Sequence, residues 1–122
     1  MSENSIEFFE KLQDILPSTR EEYLESVKKN GEVLETVVIE DIFMPPILSL
    51  LSKNENVMLL KSIFDCFEEI VNKNDPHLIN VFSITVLEIL GNDKKILKVA
   101  RQYMGPKTMI LQIKVDQDLG RL

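Results

Sequence analysis

The segment from residue 74 to residue 108 carries helix punctuation at helix-length intervals: Asn74-Asp75-Pro76, then Gly91-Asn92-Asp93, then Gly105-Pro106-Lys107-Thr108. Asp75 offers a side-chain acceptor to the free N–H groups that open a helix, and Pro76, which has no N–H, suits the first helical turn. Gly91 and Gly105 read as C-terminal stops, because glycine enters the left-handed conformation that closes a helix without a Cβ penalty. A chain punctuated in this way reads as a stack of short helices.

The chain has 122 residues, 44% of them apolar, which is the common size for one domain with its own core. Residues 1–122 are therefore expected to form a single helical domain. Within it the reading separates an acidic third over 1–41, a more apolar helical core over 46–104 and a C-terminal helix over 106–119. The lone cysteine, Cys66, has no internal disulfide partner, and residues 1–16 are acidic and amphipathic where a signal peptide would be basic and then apolar. A cytoplasmic setting is expected. The longest apolar run, from Leu78 to Leu90, is interrupted by Glu88, so no stretch approaches the roughly 20 residues that span a bilayer.

The net charge of −6 is unevenly placed. Residues 1–41 hold 11 acidic and 4 basic side chains, a balance of −7, whereas 42–122 hold 9 acidic and 10 basic. A region so acidic repels nucleic acid and anionic membranes and draws in basic protein surfaces, with on-rates that fall as salt rises.

Asn4 and Glu7 have capping-box spacing, and Ile6, Phe9, Leu12, Ile15 and Leu16 then recur at helical steps up to Pro17. Ser18 and Glu21 repeat that start signal, Tyr23, Leu24 and Val27 form a short apolar stripe, and Asn30-Gly31 closes a mostly polar second helix. Residues 32–44 mix strand-favouring Val37, Val38 and Ile39 with a helix face of Leu34, Val38 and Ile42; helix is expected, stopped by Pro45-Pro46, with Pro46 opening a segment through Leu51.

From Asn54 to Lys73 two seams run side by side, Val57, Leu60, Phe64, Phe67 and Val71 beside Leu59, Ile63, Cys66 and Ile70, which marks a central helix. Residues 76–90 place Leu78, Phe82 and Ile89 on one line and Ile79, Val86 and Leu90 on another, with a buried strand as the competitor. In 92–104, Ile96, Leu97, Val99, Ala100, Tyr103 and Met104 oppose Lys94, Lys95, Lys98 and Arg101. After Pro106, Leu111, Ile113 and Val115 alternate as a strand would. Leu111, Val115 and Leu119 also lie one helical turn apart, and a lone strand would leave its ladder groups unpaired, so helix is expected.

The residues that could carry chemistry are few. His77 is the only histidine and has no sequence-local nucleophile or orienting partner. Cys66 sits among Ile63, Phe67 and Ile70, where a thiol is core, and one cysteine with one histidine cannot supply the usual zinc ligands. Glu21 and Glu25, one turn apart, could hold a hard cation, but the glycine-containing calcium loop and the Glu-x-x-His step of helix-borne di-iron sites are both missing. The basic face of Lys94, Lys95, Lys98 and Arg101 has no interleaved aromatics, so it is read as meeting the acidic third, within the molecule or between two copies, in preference to nucleic acid. No metal, cofactor or catalytic residue is expected.

The run Ile84-Thr85-Val86-Leu87-Glu88-Ile89-Leu90-Gly91 after Asp75-Pro76, with Tyr103-Met104-Gly105-Pro106-Lys107-Thr108 leading to Leu119-Gly120-Arg121, resembles small uncharacterised bacterial all-helical proteins. Some of those are similar to immunity proteins of polymorphic toxin systems. The resemblance implies an all-α fold of about seven to eight short helices, stacked like HEAT or armadillo units or as an irregular orthogonal bundle. It also implies a non-enzymatic protein that neutralises a toxin. The charge map agrees, since an acidic helical face can occupy the basic groove of a nuclease toxin. The expected contact face is Glu21, Glu22, Glu25, Glu32, Glu35, Glu40 and Asp41. A different class, a helical adaptor that binds a host protein or itself, would use an apolar groove near Phe43-Met44-Pro45-Pro46-Ile47. An enzyme relying on carboxylates would require Glu68 or Glu69 in a closed cleft with a raised pKa.

Overall fold

Asp75, in extended backbone conformation, accepts hydrogen bonds from the N–H groups of His77 and Leu78 at 3.1 and 3.3 Å, and a helix starts at Pro76 as the punctuation predicts. The computed structural model describes all 122 residues and contains seven helices and no strand. They are α1 (Glu3–Ile15), α2 (Arg20–Asn30, entered through a 3-10 turn at Pro17–Thr19), α3 (35–53), α4 (Val57–Asn72), α5 (76–91), α6 (Lys94–Arg101) and α7 (Pro106–Asp118). The stretches at 32–44 and 109–116, where strand and helix compete in the sequence, are both helical from Glu35 and Pro106 onward. No helix is long and apolar enough to cross a membrane.

Several punctuation marks act differently from their sequence reading. Ser2 caps α1, accepting from Ser5 N at 3.2 Å, while Asn4 donates to Asp75 Oδ2 at 3.1 Å and ties the two helix starts together. Ser18 and Glu21 form no box, since Pro17 opens the 3-10 turn there and α2 has no side-chain cap. Gly31, at φ 72°, closes α2 as expected. Gly91 is the last helical residue of α5, which closes at Asn92 in right-handed conformation, and Gly105 precedes α7 as its N-cap residue with φ −72°, so neither glycine supplies a left-handed stop. Left-handed asparagines do part of that work. Asn54 (φ 49°) donates its N–H to Leu51 O and the next residue to Leu50 O, the paired bonds that close a helix end, and Asn74 (φ 54°) follows α4.

Pro45-Pro46 does not stop α3. The helix passes from Glu35–Val38 through a π-helical turn, Ile39–Phe43, into Met44–Lys53, with Met44 N donating five residues back to Ile39 O. The wider turn ends one residue before Pro45-Pro46, the two residues that have no N–H to give, so the helix is reorganised next to the place where its bonding pattern would break. A second π segment, Ser83–Leu87, interrupts α5 between Pro76–Phe82 and Glu88–Gly91, and the two π segments pack on each other. Each insertion lets three successive residues face inward, Ile42, Phe43 and Met44 in α3 and Thr85, Val86 and Leu87 in α5. A regular 3.6-residue repeat does not bury three in a row, which is why the lines drawn through Ile79 and Ile89 miss: both are only half-buried.

Helix α4 is central, packing against α1, α3, α5 and α7, and it buries Leu60, Ile63, Phe64, Cys66, Phe67, Ile70 and Val71. Val57, assigned to its inner seam, is exposed in the first turn, as is Ile6 in α1. Phe67 meets Phe8, Phe64 and Phe82 edge-on at centroid distances of 6.4, 5.0 and 5.1 Å. Outside this core, Lys11 bridges Glu7 and Glu69, and Lys73 pairs with Glu7, so α1 and α4 are also joined by charge along their exposed edge.

Helix α7 keeps only part of the face expected of Leu111, Val115 and Leu119: Val115 is buried, Leu111 half-buried and Leu119 exposed. It buries Thr108, Gln112, Val115 and Asp116 and exposes Ile110 and Ile113. The burial of Thr108 is answered by a partner from another helix. At the start of α7, Glu68 of α4 accepts from Lys107 N (3.1 Å), Thr108 N (2.9 Å) and Thr108 Oγ1 (2.8 Å), acting as a cap supplied by another helix. Gly105 makes room for it, because a Cβ there would lie 2.5 Å from Glu68 Cδ. Desolvation raises the Glu68 pKa, but the N–H groups of Thr108 and Lys107, the Thr108 hydroxyl and the Lys107 charge outweigh it and hold the carboxyl below its ordinary value of 4.5.

Two outcomes follow from this packing. Phe67→Ala, which removes three ring contacts at once, is expected to lower the unfolding free energy by about 3–5 kcal/mol in urea titrations. Glu68→Ala, which removes the cap from α7, is expected to cost about 1 kcal/mol at neutral pH. Because the folded-state pKa of Glu68 is depressed, that difference is complete above the ordinary glutamate value and is lost as pH falls through the folded-state value. The melting temperatures of the two proteins should draw together as pH falls below the ordinary glutamate value, and a gap that stays constant through the acid range contradicts the charged cap.

Candidate functional site

The acidic residues of the first third do not form one continuous face. Helix α2 buries no residue at all, and its Glu22 and Glu25 stand across from Asp41 at the rim of a groove of about 430 Å³ between α2 and the start of α3. Leu34, Val37 and Ile42 are the apolar side chains of that groove, and Lys29 is its one cation. Glu21, Glu32 and Glu40 are exposed outside the groove. Glu35 turns away: its side chain is 18% exposed and accepts from Ser5 Oγ at 3.2 Å and His77 Nε2 at 3.1 Å, joining α1, α3 and α5. The structure thus brings together three of the seven acidic residues singled out in the sequence and assigns Glu35 to internal packing.

His77 is exposed, and its imidazole pairs with Glu35 alone. Cys66 is core as expected; burial pushes its thiol up to about 12, far from a reactive thiolate. Glu68, the candidate acid of a carboxylate enzyme, is held in the opposite direction from the raised pKa that such a role requires, and Glu69 is an exposed partner of Lys11. No three histidine, cysteine, aspartate or glutamate side chains gather as a metal-holding group. The apolar stretch proposed for an adaptor groove is core instead: Phe43, Met44 and Ile47 are fully buried, because the π turn rotates them inward, and only Pro45 of that stretch is exposed.

Exposed apolar surface lies elsewhere, in a furrow between α5 and α7 lined by Ile79, Ile84, Leu111 and Leu119, with Ile110 68% exposed beside it. On the α7 side this follows from its polar inner face: burying Thr108, Gln112 and Asp116 turns Ile110 and Ile113 outward.

The basic residues are gathered by a constellation that the sequence reading did not find. Lys94, Lys98 and Arg101 of α6, but not Lys95, line a recess of about 560 Å³ with Gly91, Asn92, Asp116 and Arg121. They form no ion pair with residues 1–41, so the expected intramolecular meeting of basic face and acidic third does not occur.

Arg121 closes one wall, donating to Glu88 O at 3.2 Å, Asp116 Oδ1 at 3.3 Å and Asn92 Oδ1 at 2.5 Å. It is positioned by the turn that ends α7, in which Gly120 sits at φ 71° and Arg121 N donates to Asp116 O at 2.8 Å. Gln112 Nε2 donates to Leu87 O and to Asp116 Oδ1. Asp116 Oδ2 has no hydrogen-bond partner, and Arg101 Nη2 is 4.0 Å away. A buried acceptor left without a donor costs about 1–3 kcal/mol. Gly91 is required here by space, since a Cβ would lie 2.4 Å from Arg121 Nη1 and 2.6 Å from Asp116 Oδ1. The sequence does contain a signal for this site, the four-residue spacing of Thr108, Gln112 and Asp116, which is a polar stripe on one helix face.

No curated protein and no solved structure matches this chain. A family model does, covering residues 9–120, which takes in the acidic groove, the Glu68 cap and Asp116, with Phe8 of the aromatic core and Arg121 of the recess just outside the match. By that match the chain belongs to the DUF7674 family, a domain of unknown function.

Proposed function

We propose that this domain is a non-enzymatic cytoplasmic binding protein, an immunity protein that neutralises a cognate bacterial toxin by occupying a basic surface. The observation that carries the reading is the α2/α3 groove, in which Glu22, Glu25 and Asp41 border apolar Leu34, Val37 and Ile42. A partner with arginine or lysine around a small apolar projection would satisfy both parts, the carboxylates directing encounter and the apolar residues slowing release. The −7 balance of residues 1–41 extends that attraction beyond the groove itself. Nucleic acid and anionic membranes fit this surface poorly for the same electrostatic reason.

A second reading, an adaptor that binds a host protein or a second copy of itself, is favoured by the furrow between α5 and α7 with exposed Ile84, Ile110 and Leu119. Apolar side chains gathered in this way mark contact surfaces when they are contiguous.

Calorimetric titration with purified toxin domains of basic surface, at two salt concentrations, separates the two readings. Reversing Glu22, Glu25 and Asp41 to lysine is expected to weaken binding by at least about tenfold at low salt, with a smaller loss at high salt. Ile110→Glu is expected to leave that affinity unchanged. The opposite pattern, with sensitivity at Ile110 and none at the three carboxylates, would transfer the contact to the α5/α7 furrow.

A further inference from the structure

The recess at the end of α5 combines two properties that internal packing does not account for. Four cationic side chains, Lys94, Lys98, Arg101 and Arg121, surround one carboxylate in a chain whose net charge is −6. Only Arg121 is fully occupied by protein partners; Lys94 and Lys98 are in no ion pair, and Arg101 stands at the 4.0 Å edge of one. The second property is Asp116, 1% exposed, whose Oδ1 takes both nearby donors while Oδ2 takes none. The orientation of Gln112 is fixed by its donation to Leu87 O, so its amide cannot turn its N–H toward Oδ2 without losing that bond.

We propose that this recess binds a small phosphate monoester that carries hydroxyl groups, of the sugar-phosphate or nucleoside-monophosphate kind. The phosphate sits among Lys94, Lys98 and Arg101, and a hydroxyl of the same molecule donates to Asp116 Oδ2. A phosphate dianion suits this rim better than a carboxylate does, because it has three terminal oxygens for unpaired Lys94 and Lys98 and for Arg101, whose one ion pair is at the 4.0 Å limit, and it carries close to two negative charges at neutral pH. The hydroxyl explains the carboxylate, which would otherwise repel an anion: Asp116 Oδ2 is an acceptor left without a donor inside the protein. Arg121 acts as a wall, holding Asp116 in place through Oδ1, and Gly91 keeps the space open. A volume of about 560 Å³ is within the usual size of small-ligand sites. The site is independent of the acidic groove and does not rest on the immunity reading.

The test uses ribose 5-phosphate, inorganic phosphate and ribose as probes of the whole chain, followed by amide chemical shifts and calorimetry. Ribose 5-phosphate is expected to bind at one site, at least about tenfold more tightly than inorganic phosphate, with ribose giving no saturable shift at about 10 mM. Lys98→Gln with Arg101→Gln, both at exposed positions, is expected to weaken ribose 5-phosphate by at least about tenfold with the melting temperature retained. Asp116→Asn keeps an acceptor at Oδ1 and replaces Oδ2 with a donor, so it is expected to reduce ribose 5-phosphate to the affinity of inorganic phosphate. Should that variant fail to fold, the exposed pair still decides the matter. Equal affinity for inorganic phosphate and ribose 5-phosphate, affinity unchanged by the Lys98 and Arg101 substitutions, or no shift near Asp116 with any probe would each overturn the proposal.

Discussion

All eight aromatic side chains of this protein belong to one connected set, and the placement of the helices depends on it. Adjacent residues of α1 divide the work. Phe8 meets Phe67 of α4 and Phe82 of α5, while Phe9 stacks on Phe43 of α3 and meets Tyr23 of α2. Successive residues project about 100° apart around a helix, so a single turn of α1 serves two halves of the core. Phe64 continues the set to Tyr103 beyond α6, whose hydroxyl donates to Asn54 Oδ1 at the end of α3. Rings packed edge-on and stacked in this way add direction to apolar burial, which by itself has none.

The consequence for α2 is marked. With no buried residue of its own, it is held to the body through half-buried Tyr23, and its acidic groove is formed against α3 and not within the core. A helix tied by so little apolar area belongs to the low-stability end of a structure, where binding surfaces are commonly found. The basic recess has the contrary character. Its floor is a hydrogen-bonded network, buried at Gln112 and Asp116 and partly exposed at Arg121, that connects α5, α7 and the C-terminal turn. The two charged regions are therefore built on different principles, one on a loosely attached helix and one on a hydrogen-bonded polar floor.

Much of the fold is legible from the residues. The Asp75-Pro76 start, the close of α2 at Gly31, the central rank of α4 and the core position of Cys66 all follow from local rules, because caps, prolines and a two-seam apolar pattern act within a turn or two of themselves. The misreadings share a cause. Pro45-Pro46 looks like a stop because the rule for proline is written for a regular helix, and a π turn upstream changes the register to which it applies. Gly91 and Gly105 look like conformational stops because glycine is used for two unrelated reasons, and here both are needed for close approach by side chains distant in sequence, Arg121 and Asp116 in one case and Glu68 in the other.

The amino-acid sequence by itself determined that the chain is all-helical, where most of its helices lie, and that its negative charge is concentrated before residue 42, since propensity, capping and charge count are properties of neighbouring residues. Tertiary structure alone decided which face of α7 turns inward, that Glu22 and Glu25 meet Asp41 while Glu35 does not join them, and that Arg121 completes a basic recess over Asp116. These outcomes depend on partners far away in the chain, such as Glu68 for Thr108 at 40 positions, Leu87 for Gln112 at 25 and His77 for Glu35 at 42. A polar side chain is stable inside only when such a partner reaches it, and nothing in its own segment announces that one will.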